Sequence, residues 1–396
     1  VFTFDYAAEV NSYITICGYA NGIVAACPNS LGNGYLVYYR KGRTKEVGTV
    51  TTHSGATLDY TGSYISALGT GDVVIIDTIK YEIESVDVDN SQITLTETPS
   101  ATITSKSITL TDITKIPCVY TSVVQNGNQT DTTTTTFYPK IIQSHQGRLW
   151  VGARIGDDEV ASYAIYSDLG NIHNMFEGGD ASAYDAGYFA EFWEDTSDIT
   201  AIGTWDKYVV IHKREHTYLI NTSASDATTW NVESYSEYTC ENQRGFVKAN
   251  NGYYVYTTSG GGIYPMIQRT IYSAISQGAE ASVKIRDTFN NINLYALDKI
   301  FAVYHPLKKY IMFYMPMIGE DGSNNCYILD LQTKSWLHRQ VPQNVTTAFE
   351  FDNKVYIGTK DGKVYEEFRG LDFAGETIKF SCLSGVTVLT GLLLER

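Results

Sequence analysis

One sequence pattern recurs five times between Lys140 and Phe368. It consists of an apolar strand, a polar turn, an aromatic-rich strand and a third strand that carries a tyrosine. Successive aromatic strands are separated by 59, 45, 57 and 45 residues. Repeats of this length, with three or four strands in each, are typical of β-propeller blades and are too long for leucine-rich or ankyrin repeats. The markers used for this spacing are Leu149, Tyr208, Tyr253, Tyr310 and Val355.

The repeated sheets are expected to stack on one another. A four-stranded sheet of about 40 residues cannot bury both of its faces alone, so it needs a neighbour on each side. The composition agrees, because 31 Tyr, 33 Gly and only 18% charged residues favour strands and turns over helices. We therefore predict an all-β fold, an irregular β-propeller with about five or six recognisable blades. A set of β-meanders from stacked sandwiches is the alternative.

The repeat is interrupted by a segment of different composition. Residues 48–116 are rich in Thr, Ser, Val, Ile and Asp, and three antiparallel strands are predicted within them at 71–76, 81–86 and 92–96. This pattern indicates a small β-barrel or sandwich inserted between blades. Residues 1–47 are predicted to form a first blade with the N-terminal strands.

The rest of the chain divides into three further parts. Residues 117–139 read as a polar, Thr-rich linker. Residues 140–370 carry the blades, interrupted between Ser273 and Asn291 by a predicted short amphipathic helix, for which an inter-blade loop is the alternative. Residues 371–396 form a C-terminal segment that stops abruptly, so truncation is left open. The first residue is Val1 rather than Met, which leaves open that the chain is a fragment.

The cysteines and the apolar runs exclude two classes of protein. No stretch approaches the roughly 18 continuous apolar residues of a membrane span. The cysteines show no CxxC spacing and are widely scattered, so we predict small buried side chains in a reducing compartment rather than a disulfide framework. They are Cys17, Cys27, Cys118, Cys240, Cys326 and Cys382.

Two groups of side chains were candidates for catalysis or metal binding. His212 and His216 are four residues apart, a spacing that can bind zinc on a helix, but here the pattern places them in a hairpin turn. An acidic run offers the paired carboxylates that glycoside hydrolysis needs, yet it reads better as a solvated turn before the strand 199–204. Its members are Glu191, Glu194, Asp195 and Asp198.

Other motifs are incomplete. The segments 167–170 and 226–230 are only fragments of the S-x-D-x-G-x-x-W turns of sialidases. The glycines 260–262 are followed by no lysine and no helix start, so they predict a hairpin turn rather than a phosphate loop. We therefore predict that this protein is not an enzyme, with no catalytic residue, no cofactor site and no metal site.

The formal charge of −15 restricts the partners of the chain. Tight binding of nucleic acid needs clustered Lys and Arg to neutralise phosphates, and the balance here is the opposite. An acidic wall would instead let a polyanion pass without holding it.

Several segments of the repeat region resemble the tail hub and nozzle proteins of short-tailed bacteriophages, the group similar to tail tubular protein B. The resemblance covers about residues 140–370. The segments that carry it are Gly147–Gly152, Tyr166–Asn171, Phe176, Gly179-Asp180, Asp198–Ile202, Val209–Lys213, Val283–Asn291, Ile300–Tyr304, Tyr310–Met315 and Tyr327–Trp336.

The resemblance implies a non-enzymatic structural protein of the virion tail, made in the host cytoplasm. It implies a homo-oligomeric ring, commonly a hexamer, that lies below the portal and adaptor and contacts tail fibre or tail spike proteins. The ring would surround the DNA exit channel and gate genome ejection, with DNA passing through without sequence-specific binding. Long loops and the inserted domain would contact neighbouring subunits.

Rigid blade cores are expected to support this role, each aromatic ring burying roughly 150–250 Å². The expected core residues are Trp150, Tyr208, Tyr254, Phe313 and Tyr356. A glycan-binding or glycan-cleaving propeller that recognises a receptor is the alternative function. A cellular scaffold of the WD or kelch kind is disfavoured by the missing WD dipeptides and the irregular repeat length.

Overall fold

The computed structural model divides the chain into two compact units, Val1–Asn290 and Asn291–Arg396. The description covers most of both units. The described residues are 15–20, 22–27, 35–40, 42–62, 68–116, 118–126, 129–155, 162–172, 175, 187–189, 192, 195–249, 252–257, 261–267, 276–320, 322–341, 345–369, 372–373 and 376–377.

The first unit begins with a blade whose strands are not consecutive in the chain. Strands β1 (Thr15–Tyr19), β2 (Gly22–Cys27) and β3 (Tyr35–Tyr39) form an antiparallel meander. The fourth strand is the last part of a much later strand, β9 (Ser107–Ile116), which pairs with β3 from Ile113 to Ile116. The insertion therefore lies between the third and fourth strands of this blade, and not between two blades.

The insertion is a closed six-stranded barrel. Its strand order is β9-β4-β5-β8-β7-β6, and the barrel closes because β6 also pairs with β9. Alternate residues of these strands fill the interior with apolar side chains such as Leu58, Ile76 and Leu110. The new strands are β4 (Lys45–Ser54), β5 (Thr57–Thr61), β6 (Asp72–Ile76), β7 (Ile79–Asp87) and β8 (Gln92–Leu95).

The Thr-rich stretch that we predicted as a linker is strand in the structure, so that prediction is wrong. Strand β10 (Val119–Asn126) pairs along its length with β11 (Gln129–His145). The polar character of the sequence suggested a linker, but threonine is β-branched and fits a pleated strand well.

Three further sheets complete the described part of the first unit. Each is an antiparallel series of neighbouring strands. The first continues from β10 and β11 through β12 (Arg148–Ile155), β13 (Tyr163–Tyr166) and β14 (Gly187–Phe189). The second contains β15 (Ala201–Trp205), β16 (Tyr208–His212), β17 (Thr217–Asn221) and β18 (Val232–Ser236). The third contains β19 (Phe246–Ala249), β20 (Gly252–Thr257), β21 (Gly262–Ile267) and β22 (Ser276–Gln277).

The sheets of the first unit pack face to face in chain order. Strand β12 shows why, because its successive side chains point to opposite faces. Leu149 and Val151 pack with the first blade, whereas Trp150 packs with Val209 and Tyr218 of the next sheet. A strand buried on both faces reads as a continuous apolar run, which is how the aromatic strands of the repeat appear in the sequence.

The second unit contains two larger sheets whose facing sides share one core. Phe301, Met312 and Tyr314 of the first sheet pack with Val355 and Ile357 of the second. The first sheet consists of β23 (Phe301–His305), β24 (Tyr310–Met315), β25 (Asn325–Asp330) and β26 (Trp336–Gln340). The second consists of β27 (Val345–Phe351), β28 (Lys354–Thr359) and β29 (Val364–Glu366), and a small hairpin of β30 (Asp372–Phe373) and β31 (Glu376–Thr377) follows.

The predicted fold class is confirmed. The protein is all-β, with propeller-type blades of stacked antiparallel sheets and an inserted barrel. The predicted helix between Ser273 and Asn291 is short: α1 comprises only Arg286–Phe289, preceded by a 3-10 turn at Val283–Ile285. In the described part of the chain, no helix has the length and apolar character needed to cross a membrane.

The predicted aromatic cores are confirmed with one exception. Trp150, Tyr208, Tyr254 and Phe313 are buried. Tyr356 is only half-buried, because it lies opposite the exposed Phe349 on the outer face of the β27–β29 sheet. Strict alternation along β28 puts Val355 and Ile357 in the core instead.

Candidate functional site

The hairpin that joins β16 to β17 carries the two histidines with zinc-like spacing. His212 is completely buried, with Nδ1 2.8 Å from the Thr217 hydroxyl and Nε2 3.2 Å from the Tyr253 hydroxyl. Burial lowers the pKa of His212 to about 3, so the ring is neutral. Both of its nitrogens are occupied, and no cluster of three or more metal-ligating side chains occurs among the described residues.

The next residue, Lys213, is also completely buried. Its ammonium group donates to the backbone carbonyl of Asp195 and lies 4.8 Å from the centre of the Phe192 ring. Burial lowers the pKa of Lys213, and the charges of Asp195 and Asp198 act in the opposite direction. A lysine with no exposed surface cannot attack a substrate, so its role is to join the hairpin to the preceding loop.

The acidic run does not form a catalytic pair among its described members. Asp195 is buried, which differs from the predicted solvated turn, and its Oδ1 accepts hydrogen bonds from the backbone N–H and the hydroxyl of Ser197 at 2.9 and 2.5 Å. Asp198 pairs separately with Lys140 at 3.0 Å. Glu191 and Glu194 lie outside the described residues. The two described carboxylates therefore serve different local contacts.

The sialidase-like fragments have structural contacts. The Ser167 hydroxyl accepts the Leu149 N–H at 3.0 Å, and the Ser167 carbonyl accepts from Arg148 at 2.6 Å. Asp226 caps a 3-10 turn by accepting the Thr228 N–H, and the indole N–H of Trp230 donates to the Ala224 carbonyl at 2.9 Å. The glycines 260–262 lie only partly within the described residues.

An aromatic cluster lies where these fragments meet. The ring of Trp150 is 5.0 Å from Tyr166, 6.2 Å from Phe189 and 5.9 Å from Trp230. The guanidinium of Arg148 lies 5.4 Å from the rings of both Tyr166 and Trp230. Phe189 and Trp230 are half-buried, so part of the cluster is accessible to solvent.

Four cysteine thiols are buried and unreactive, those of Cys17, Cys118, Cys240 and Cys326. Burial raises the pKa of Cys17, Cys118, Cys240 and Cys326 to about 12 in each case. The thiolate is the reactive form of cysteine, so at neutral pH these side chains act as small apolar groups.

A buried ion pair in the second unit was not predicted from the sequence. The Glu367 carboxylate, just after β29, accepts hydrogen bonds from Arg339 of β26 and from the Tyr314 hydroxyl of β24 at 2.8 Å. The Glu367 side chain is only 1% exposed. No motif signals such a contact, since its members are separated by tens of residues and become neighbours only through sheet packing.

A second unpredicted network joins the barrel to the first blade. Arg43 presents both terminal nitrogens to the Asp72 carboxylate, at 2.5 and 2.6 Å. Thr114 on β9 donates to the same carboxylate at 2.7 Å. Asp112 accepts the N–H groups of Arg43 and Thr44, both at 2.7 Å. The chain segments that enter and leave the barrel are thus tied together.

No protein-family model and no curated protein sequence matches this chain. Among solved structures, the chain is similar to AztD from Citrobacter koseri, with a TM-score of 0.36, 11% identity and coverage of 89% of this chain and 77% of that one. It is also similar to BamB from Moraxella catarrhalis, with a TM-score of 0.31, 10% identity and coverage of 90% and 93%. A third similar structure is the computationally designed Ika8 protein, with a TM-score of 0.34, 11% identity and coverage of 89% and 95%. No function for this chain follows from these similarities.

Proposed function

We propose that this protein is a non-enzymatic structural component of a bacteriophage tail, a hub or nozzle ring that surrounds the DNA exit channel. The proposal starts from the resemblance of residues 140–370 to those proteins. One structural observation supports it: two of the described side chains that could do chemistry, His212 and Lys213, hold neighbouring segments together instead. His212 bonds to Tyr253 of the next sheet, and Lys213 bonds to the loop before β15.

The charge of the chain supports the same role. A chain with a net charge of −15 has few cations to spare for neutralising phosphates, so the proposed ring would let DNA pass without retaining it. The portal, adaptor and tail fibre or spike proteins are the proposed neighbours, and the virion tail is the proposed location.

Electron microscopy of the purified chain and of its parent particle tests this proposal. The expected result is a homo-oligomeric ring, most simply a hexamer, on the axis of a tail. A monomer in solution together with its absence from any tail axis would contradict the proposal.

A glycan-binding propeller is the second candidate, and the aromatic cluster around Trp150 favours it. The half-buried rings of Trp230 and Phe189, each stacked against the buried Trp150, are the kind of aromatic surface that recognises a ligand with an apolar face. Glycan-array binding that is lost in Trp230→Ala would favour this function. Hydrolysis that is abolished in Glu191→Gln would establish an enzyme.

A further inference from the structure

The turn that follows β29 inserts two side chains into the neighbouring sheet of the second unit. The Glu367 carboxylate bonds to Arg339 and Tyr314, and its backbone N–H donates to the Val355 carbonyl at 2.8 Å. The ring of Phe368 lies over the guanidinium of Arg339 at 5.5 Å and over the ammonium of Lys308 at 5.0 Å. We call Glu367 and Phe368 the plug.

The surface that receives the plug is built on regular strands. Tyr314 lies in β24, Arg339 in β26 and His305 at the end of β23, so three strands of one sheet hold the receiving groups. Tyr314 and His305 are buried, and the His305 ring lies 5.5 Å from Phe368. A carboxylate between a guanidinium and a phenol, followed by an aromatic ring between two cations, is a specific chemical pattern.

The plug fills this surface imperfectly. Phe368 has φ +59°, a left-handed backbone conformation that strains a bulky side chain, and the residue remains 40% exposed. Two buried polar atoms in the receiving surface, His305 Nδ1 and Arg339 Nε, have no hydrogen-bond partner among the described residues. Native proteins rarely leave such atoms unpaired, because each loses its bonds to water without replacement.

We propose that the plug is an autoinhibitory contact, in which the protein's own Glu367–Phe368 pair occupies a binding site for a partner peptide carrying an acidic residue followed by an aromatic residue. An external peptide can present the same pair from an unstrained backbone. It would therefore displace the plug once its concentration offsets the advantage of a tethered competitor. This inference is independent of the proposed tail function, since it rests only on the second unit's own contacts.

The test uses the dipeptide N-acetyl-Glu-Phe-amide as the probe and the full chain as the receptor. In Glu367→Ala/Phe368→Gly the plug is removed, and calorimetric titration should show at least a tenfold tighter Kd than in the wild type, where the plug competes. The probe N-acetyl-Gln-Phe-amide lacks the carboxylate and should bind that variant at least tenfold more weakly. Equal affinity of the wild type and the folded double variant for the acidic probe overturns the proposal.

Two further variants make the test robust. Phe368→Gly alone keeps the Glu367 ion pair and accepts the left-handed backbone, so it should bind the acidic probe with an affinity between those of wild type and double variant. If the double variant does not fold, Phe368→Gly provides the test instead. An affinity of Phe368→Gly for the acidic probe equal to that of the wild type overturns the proposal. Arg369→Ala, a change at a neighbouring side chain that is 73% exposed, is the matched control and should leave the Kd unchanged.

Discussion

At the scale of single residues, His212 and His145 are held uncharged by burial. Burial is the main cause for both, and it lowers the pKa of His212 to about 3 and that of His145 to about 4. His145 is hydrogen-bonded to the Thr222 hydroxyl at 2.8 Å, so each imidazole serves as a neutral bridge between chain segments. Unfolding returns both rings to water, where their pKa is near 6.5.

Acid should therefore destabilise the protein through these two rings. Between pH 6.5 and the lowered pKa values, the unfolded state binds more protons than the folded state, so stability falls as the pH falls. Each ring contributes up to about 1.4 kcal/mol per pH unit within its window. Urea unfolding at several pH values between 7 and 4.5 measures this slope. His212→Gln should give a shallower slope than the wild type, and an unchanged slope would contradict the assignment.

For single residues, the sequence predicted which side chains are buried better than it predicted their hydrogen-bond and ion-pair partners. The scattered cysteines were expected to be buried, and Cys17, Cys118, Cys240 and Cys326 are. Asp195 was expected in solvent but is buried, where Ser197 donates to its carboxylate and Lys213 donates to its backbone carbonyl. An ion pair such as that between Arg339 and Glu367 depends on which strands become neighbours in the fold. The local sequence does not specify those neighbours.

At the scale of structural elements, the closure of the barrel depends on a close approach of two backbones. Gly71, just before β6, has φ +83°, and its carbonyl accepts the Lys115 N–H of β9 at 2.7 Å. A Cβ atom at this position would collide with the Lys115 carbonyl oxygen. A side chain cannot be accommodated there without parting the strands that close the barrel.

Gly71→Ala should consequently be much more destabilising than Gly42→Ala. Gly42 has nearly the same φ, +84°, but a Cβ atom there meets nothing within 4 Å. The Gly42 change therefore isolates the cost of the left-handed backbone, about 1–2 kcal/mol, and the Gly71 change adds the collision. Chemical denaturation of both variants measures the difference. Equal losses of stability would mean that the two backbones can separate freely.

The Arg43–Asp72 pair should be a strong contact, unlike the ion pairs on the barrel surface. Arg43→Met leaves the Asp72 carboxylate, whose side chain is 2% exposed, buried without its counter-charge, a situation that costs about 3–5 kcal/mol. Lys106→Met is the matched control, because Lys106 and Asp77 are 42% and 50% exposed and such pairs contribute about 1 kcal/mol or less. Thermal unfolding compares the two. Similar shifts in Tm for the two variants would show that the connection between the barrel and the first blade does not depend on the Arg43–Asp72 pair.

The repeat pattern predicted the aromatic strands of the blades well and the polar strands β10 and β11 poorly. The aromatic strands β12, β16, β20 and β24 carry buried residues on both faces, so their apolar runs were visible in the sequence. Strand β28 was also predicted, although Tyr356 on its outer face is only half-buried. The pairing of β10 with β11 was missed because their composition is polar. The place of the insertion was missed because the pairing of β3 with the end of β9 spans the entire barrel sequence.

At the scale of the whole molecule, the net charge of −15 governs the encounter with DNA. Retention of duplex DNA needs several phosphates to be neutralised at once, and an acidic protein resists this. We expect no retention of double-stranded DNA at near-physiological salt, measured by gel shift or fluorescence anisotropy. Submicromolar affinity under those conditions would contradict the proposed channel wall.

The sharing of β9 between barrel and first blade has a consequence for biosynthesis. Strands β1–β3 leave the ribosome before the barrel strands β4–β8, and their fourth partner, the end of β9, emerges only after those strands. At about 5–20 residues per second, the nascent chain therefore exposes the β3 edge for several seconds. During that interval polysomes bring identical unfinished edges near one another, so mispairing between growing chains is most probable before the barrel closes.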